Sequence, residues 1–331
     1  MKTNVNTAVL ALIIAAIALP ALSAAAQLSG TLAPYRHQPS PGSIQIDVDM
    51  VLVNVGVNDA YGHIVPNLEK KHFRLFEDSV EQEILTFSSE DVPASIGVLF
   101  DTSGSMSDKM DASRQAVAHF LKASNPQDEF FVISFNDRAE LTSSFTSDIE
   151  QVQARTASLK PKGRTAFLDA IYLGMAQMKS ARYDRHILLV ISDGGDNHSR
   201  HHEAEIRNLL RESDCQLYAL GIFDERDMKR TTEERYGPSL LSELGEMTGG
   251  HVFRAANLSE LVDVSGKIGE ELRNQYIIGY KPGDAHHDGR WRRIKVSVVP
   301  SPMPSSVSSP MSSSGPPLTA RARTGYYGPR D

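Results

Sequence analysis

At 331 residues the chain is too long for one ordinary small domain and short for three, so two compact units are the natural expectation. Acidic residues outnumber basic ones, 41 against 34, and the lysines and arginines form no long stripe, which argues against a nucleic-acid-binding role. A single cysteine, Cys215, excludes an internal disulfide framework. It opens a predicted strand and reads as a small buried apolar residue with no chemistry of its own.

Met1-Lys2, an apolar core over 8–19 and the small residues Ala24, Ala25 and Ala26 have the three parts of a secretory signal peptide. The core is short for a bilayer span, which takes about 20 residues. The expectation is a leader over 1–26, cleaved after Ala26, no membrane span in the mature chain, and an exported protein, periplasmic or extracellular. Residues 27–43 read as a linker. The stretch 44–57 is rich in Val and Ile, and 72–79 with 82–87 reads as a β-hairpin.

From Ile96 onward strands alternate with helices, as a doubly wound sheet requires. The pattern predicts strands at 96–100, 130–135, 186–192, 216–223 and 251–254, with 139–145 as a short antiparallel edge strand. Helices are predicted at 107–122, 149–159, 166–178, 203–212, 240–247 and 258–273. Gly249-Gly250 supplies a C-cap signal after the fifth of them. After the last helix, 276–280 and 291–298 return to strand patterning. Neither β-rich flank has enough strands for a stable core, so the two are expected to pair. The expected organisation is an α/β domain over 92–274 inserted in a small β-sandwich made of 44–91 and 275–331. The Ser/Pro/Met-rich stretch 300–317 reads as a flexible loop between the last two strands.

The residues that carry chemistry sit at strand ends. The apolar run Ile96-Gly97-Val98-Leu99-Phe100 stops at Asp101-Thr102-Ser103-Gly104-Ser105, where one carboxylate and two hydroxyls spaced two residues apart can converge on one cation. Hard oxygen donors favour Mg²⁺, Mn²⁺ or Ca²⁺ over zinc or copper. Two later segments offer matching groups. Thr165 follows Lys162-Gly163-Arg164, and Asp193 ends the second continuous apolar run, so the two aspartates can lie side by side on neighbouring strands.

With these residues the chain resembles the von Willebrand factor A domain, whose metal-ion-dependent adhesion site uses the pattern Asp-x-Ser-x-Ser, then Thr, then Asp. Nearly the whole mature chain, from the hairpin around Phe73 to Arg321-Ala322-Arg323-Thr324-Gly325-Tyr326-Tyr327, also looks like the secreted bacterial VWFA-related proteins of acidobacterial type, with the stretch 300–317 as a departure. The resemblance implies a Rossmann-like α/β fold with helices on both faces of a mostly parallel sheet. It also implies a Mg²⁺ (or Mn²⁺ or Ca²⁺) site held by Asp101, Ser103, Ser105, Thr165 and Asp193, and a protein partner engaged through a carboxylate.

Two other functions compete on the residues. A phosphatase of the haloacid-dehalogenase type wants a second aspartate two residues after the first, where this chain has Ser103, and a serine hydrolase wants a Gly-x-Ser-x-Gly turn with a histidine base. The expectation is therefore a non-catalytic protein, with a metal-dependent hydrolase as the alternative and a purely structural metal as a third reading. His198, His201 and His202 match no closed zinc spacing and are expected as solvated side chains at a helix start. Asp196 reads as an outer carboxylate or a turn residue, Trp291 as a packing anchor, and 225–235 as a charged loop near the metal face.

Overall fold

Among the described residues three sheets organise the chain, and the burial pattern of each strand shows which of them is covered on both faces. The computed structural model describes residues 50–193, 195–221, 232–255, 258–283, 288–299 and 317–328. The expected leader (1–26), the linker (27–43), the Ser/Pro-rich stretch up to 316, His286 and His287, and the charged stretch 225–231 lie outside the described residues.

In chain order the strands and helices are β1 (Val51–Asn58), β2 (Phe73–Glu77), β3 (Val80–Gln82), β4 (Ile84–Ser88), β5 (Ser95–Asp101), α1 (Met110–Ala123), β6 (Glu129–Phe135), β7 (Ala139–Thr146), α2 (Ile149–Ala157) and α3 (Phe167–Met178). They continue with β8 (His186–Ser192), α4 (Glu203–Arg211), β9 (Gln216–Gly221), α5 (Thr232–Thr248), β10 (Val252–Arg254), α6 (Leu258–Arg273), β11 (Tyr276–Tyr280), β12 (Trp291–Val298), β13 (Thr319–Arg321) and β14 (Gly325–Tyr327).

The central sheet has the order β10-β9-β8-β5-β6-β7 and is parallel except for β7, the antiparallel edge that the sequence pattern anticipates. Every residue of β5 is buried, which is why it reads as an unbroken apolar run rather than an alternation. Its side chains split by period two. Ile96, Val98 and Phe100 join a core with α1, α2 and α6, while Leu99 faces the core made with α3, α4 and α5.

The flanks form two antiparallel four-stranded sheets, β13-β1-β11-β4 and β14-β12-β2-β3. Val53, Val55, Tyr276, Ile278 and Tyr280 of the first pack with Phe73, Leu75, Ile294 and Val296 of the second in one shared core. Both sheets therefore draw strands from each end of the chain, and neither could close without the other end. The hairpin differs in detail from its expected form. β2 pairs with β3 across a two-residue loop in which Asp78 and Ser79 both have positive φ, 45° and 71°, and β4 crosses to pair with β11 in the other sheet. Asp-Ser in place of the usual Asn-Gly left this tight turn without its sequence signal.

α5 is longer than expected, starting at Thr232 with Pro238 inside it. Gly237-Pro238 reads as a break because proline removes one helical hydrogen bond. Packing of Leu240, Leu241 and Leu244 in the second core holds the helix together all the same. Its end is as expected: Gly249 takes the left-handed conformation, φ 84°.

Candidate metal site

β5 and β8 run side by side, with Phe100 opposite Ile191, so the residues that follow each strand emerge together. The strand order reverses at this point, since the chain passes from β5 to β6 on one side and later returns to β8 on the other. Open α/β sheets form a crevice at such a switch point, outside the carboxyl ends of the strands. Asp101 and Asp193 both lie there.

Asp101 is fully buried. Its Oδ1 accepts from the Ser103 N–H at 2.8 Å and its Oδ2 from the Ser192 hydroxyl at 2.6 Å. Burial, with the negative charge of Asp193 beside it, pushes this carboxyl up to about 7, while the Ser192 and Ser103 hydrogen bonds pull the other way. A single 3-10 turn, Gly104–Met106, curls the chain after Ser103. It brings the Ser103 and Ser105 hydroxyls within 3.0 Å of each other, and Ser105 Oγ donates to Asp193 Oδ1 at 2.9 Å.

Thr165 arrives on a separate loop that is fastened to the first by its backbone. Lys162 N–H donates to the Thr102 carbonyl at 2.8 Å, and Gly104 N–H to the Gly163 carbonyl at 3.0 Å. Gly163 has φ 72°, a conformation that favours glycine, and a Cβ there would stand 2.4 Å from Asp137 Oδ2 and push that carboxylate aside. On its other side Thr165 donates its N–H to Asn197 Oδ1 at 2.9 Å and accepts at its carbonyl from the Asn197 and His198 amides, at 3.0 and 3.1 Å. The three loops are thus one stitched unit. Four of the five expected residues join in it through side-chain hydrogen bonds, and Thr165 through its backbone.

Several contributors escaped the sequence reading. Ser192 closes over Asp101, and Asn197 fixes Thr165. Lys109, just before α1, donates from Nζ to Asp193 Oδ2 and to the Ser105 carbonyl, the latter at 3.1 Å. Asp196 is a turn residue rather than an outer ligand: its Oδ2 accepts from Leu168 N–H at 2.8 Å, capping α3, and its Oδ1 accepts from the Ser199 amide. The histidines go separate ways. His201 is only partly solvated, because its Nδ1 lies 2.8 Å from Asp169 Oδ1 and its ring stacks on Tyr172 at 3.9 Å. His202 makes a capping box with Glu205 at the start of α4, and His198 is exposed beside Arg164. Among the described residues no group of three or more His, Cys, Asp or Glu side chains converges as metal ligands would. Cys215 is buried and its thiol is pushed up to about 12, so it carries no thiolate chemistry at neutral pH.

The donor set that does converge is oxygen only. Ligands about 2.1 Å from an octahedral Mg²⁺ stand about 3 Å apart along an octahedron edge. The hydrogen-bonded separations of 3.0 Å for Ser103 Oγ to Ser105 Oγ and 2.9 Å for Ser105 Oγ to Asp193 Oδ1 equal that edge in length.

Residues 96–195 match the family model of the von Willebrand factor type A domain. No curated protein matches the chain by sequence. Solved structures similar to it include the PilB minor pilin from Streptococcus sanguinis, at 15% identity and a TM-score of 0.44, covering 56% of this chain and 63% of the pilin. BatB from Bacteroides thetaiotaomicron has 18% identity and a TM-score of 0.43, covering 54% of this chain and 98% of BatB. A von Willebrand factor type A protein from Catenulispora acidiphila has 11% identity and a TM-score of 0.47 over 85% of this chain and 72% of its own. The chain thus spans just under two thirds of the pilin's length. The match to the von Willebrand factor type A domain takes in β6, β7 and β8 and all but the first residue of β5 in the six-stranded sheet, and both site aspartates lie inside it.

Proposed function

We propose that the protein is an exported, non-catalytic binding protein that uses a divalent cation, held by Asp101, Ser103, Ser105, Thr165 and Asp193, to engage an acidic group of a protein partner. The observation that carries this reading is the run of contacts Ser103–Ser105–Asp193, with oxygens spaced as a hard octahedral cation needs, at the switch point of the sheet. Bound there, Mg²⁺ or Mn²⁺ would supply an electrophile. With neutral hydroxyls as three of its five donors, the ion keeps much of its charge for an incoming carboxylate. The loops that carry these donors are pinned to one another by backbone hydrogen bonds, so the site is preorganised and ligand binding costs little loop ordering.

Export rests on the three-part pattern of 1–26. Among the described residues no helix is long and apolar enough to cross a membrane. The partner is a protein presenting Asp, Glu or a chain-terminal carboxylate. Nucleic acid is not expected, given the excess of acidic residues.

The test is capture from envelope and secreted fractions of the host with the chain from Gln27, run in Mg²⁺, in chelator, and with Asp101→Asn. A partner held only by the wild-type chain in Mg²⁺ supports the reading. Equal capture in all three arms refutes it and moves the binding surface to the sandwich or to other loops.

A further inference from the structure

The candidate site already contains a cation. Lys109 reaches back from the residue before α1 and places its ammonium on Asp193 Oδ2 and on the Ser105 carbonyl. This is no surface ion pair, since the Lys109 side chain is 17% exposed and that of Asp193 4%. Asp193 Oδ1 is meanwhile the acceptor for Ser105 Oγ. The ammonium therefore sits on the same carboxylate, and against the same serine, that a divalent ion would draw on.

Resting on the metal-binding reading above, we propose that Lys109 is a tethered competitor of the divalent cation and sets the metal concentration at which the site loads. A divalent ion entering the crevice exchanges places with the ammonium on Asp193. The exchange breaks the Nζ–Asp193 and Nζ–Ser105 contacts and forms metal–oxygen contacts in their place, with no net change in covalent bonds. Lysine suits this role better than arginine would. Its ammonium is a compact point charge on a flexible four-carbon stem that regains water readily on leaving. The surface it would leave toward is open, because Gly104, Ser105, Ser107 and Asp108 are exposed. There the freed ammonium adds a positive charge at the rim, on the side from which an acidic ligand comes.

A rival role for the same contact is a fixed brace, in which Lys109 stays on Asp193 when the metal binds and holds the carboxylate in place. The two make opposite predictions for removal of the ammonium. A brace removed weakens metal binding; a competitor removed strengthens it. The experiment is calorimetric titration of Mn²⁺ and Mg²⁺ into the chain from Gln27 as wild type, Lys109→Met and Lys109→Gln, with melting curves of each in chelator and in Mn²⁺. The expected result is at least about tenfold tighter metal binding by both variants, the scale of one charge-assisted hydrogen bond. Melting in chelator should fall in the variants, and Mn²⁺ should raise their melting temperature more than it raises that of the wild type. Metal binding by the wild type that is equal or weaker in both variants overturns the competitor role and leaves the metal site standing. Absence of metal binding in all three chains, each folded, overturns the metal reading and this inference with it.

Discussion

Asp101 is the residue whose replacement tests the site most directly, and the structure separates two replacements that are often treated alike. Alanine at 101 takes the acceptor away from two buried donors, the Ser103 N–H at 2.8 Å and the Ser192 hydroxyl at 2.6 Å, in a place closed to water. A buried donor that loses its acceptor costs about 1–3 kcal/mol, so Asp101→Ala should lose roughly 2–6 kcal/mol, less whatever is recovered by removing a charge beside Asp193. For a domain of 150–250 residues that corresponds to a fall in melting temperature of roughly 4–24 °C. Asparagine is nearly isosteric. Its carbonyl oxygen still accepts from Ser103, and its amide can donate to Ser192 Oγ, which then accepts instead. Asp101→Asn should therefore stay within about 1 kcal/mol of wild type, the cost of a well-matched polar exchange. Both variants should lose cation binding. The assay is urea or thermal unfolding in chelator, followed by Mn²⁺ titration. If Asp101→Asn proves as unstable as Asp101→Ala, the reasoning from stranded donors is wrong, and the carboxylate charge itself holds the loops.

Two further outcomes follow from other parts of the fold. Gly163→Ala forces a left-handed residue with a side chain, at a cost of about 1–2 kcal/mol. It also drives Cβ to 2.4 Å from Asp137, so Mn²⁺ affinity should fall more than stability does; unchanged metal binding would show that this turn does not place Thr165. Asp128 is buried under backbone N–H donors from Ala94 and Asn125, and burial pushes its carboxyl up to about 6, with Arg185 pulling it down and Asp91 pushing it up. A group raised in the folded state stabilises fully below its unfolded value near 3.8, and this stability is lost as pH rises through about 6. Over that window the contribution is roughly 3 kcal/mol. Unfolding free energies measured from pH 4 to 7 should lose this slope in Asp128→Asn; an unchanged slope would assign the titration to another group.

The fold was legible in the sequence where burial is complete or periodicity is long. β5 and β8 are apolar on both faces and end at a charge, so their type, extent and order could be read within a residue, and with them the positions of Asp101 and Asp193. The same held for α3 and α6, whose apolar faces repeat at helical spacing. What was not legible depended on partners distant in sequence. β4 looks like the return strand of a hairpin, but its pairing is chosen by β11, nearly two hundred residues on. His201 looks like a solvated residue at a helix start, and only the fold supplies Asp169 and Tyr172. Asp196 carries the same residue type as the site aspartates, yet the backbone of α3 claims it.

Lys109 is a different case, because a local signal did exist. It stands in the residue before α1, where Ser, Thr, Asp or Asn would satisfy the free amide groups, and it makes no capping hydrogen bond. A cation at the positive end of a helix is also unfavourable by about 0.3–1 kcal/mol. Local preference thus argues twice against lysine there, and Asp111 in the first turn offsets only part of the conflict. Such violations of local rules concentrate at functional sites, where another interaction compensates for them. Here the compensating group is Asp193, delivered by a strand more than eighty residues later. On the proposal above, a divalent ion that took Asp193 away would remove that compensation and return the lysine to the end of the helix that least favours it. The cost of that return would be part of what the metal must overcome, so the poor cap and the ion pair would belong to a single balance.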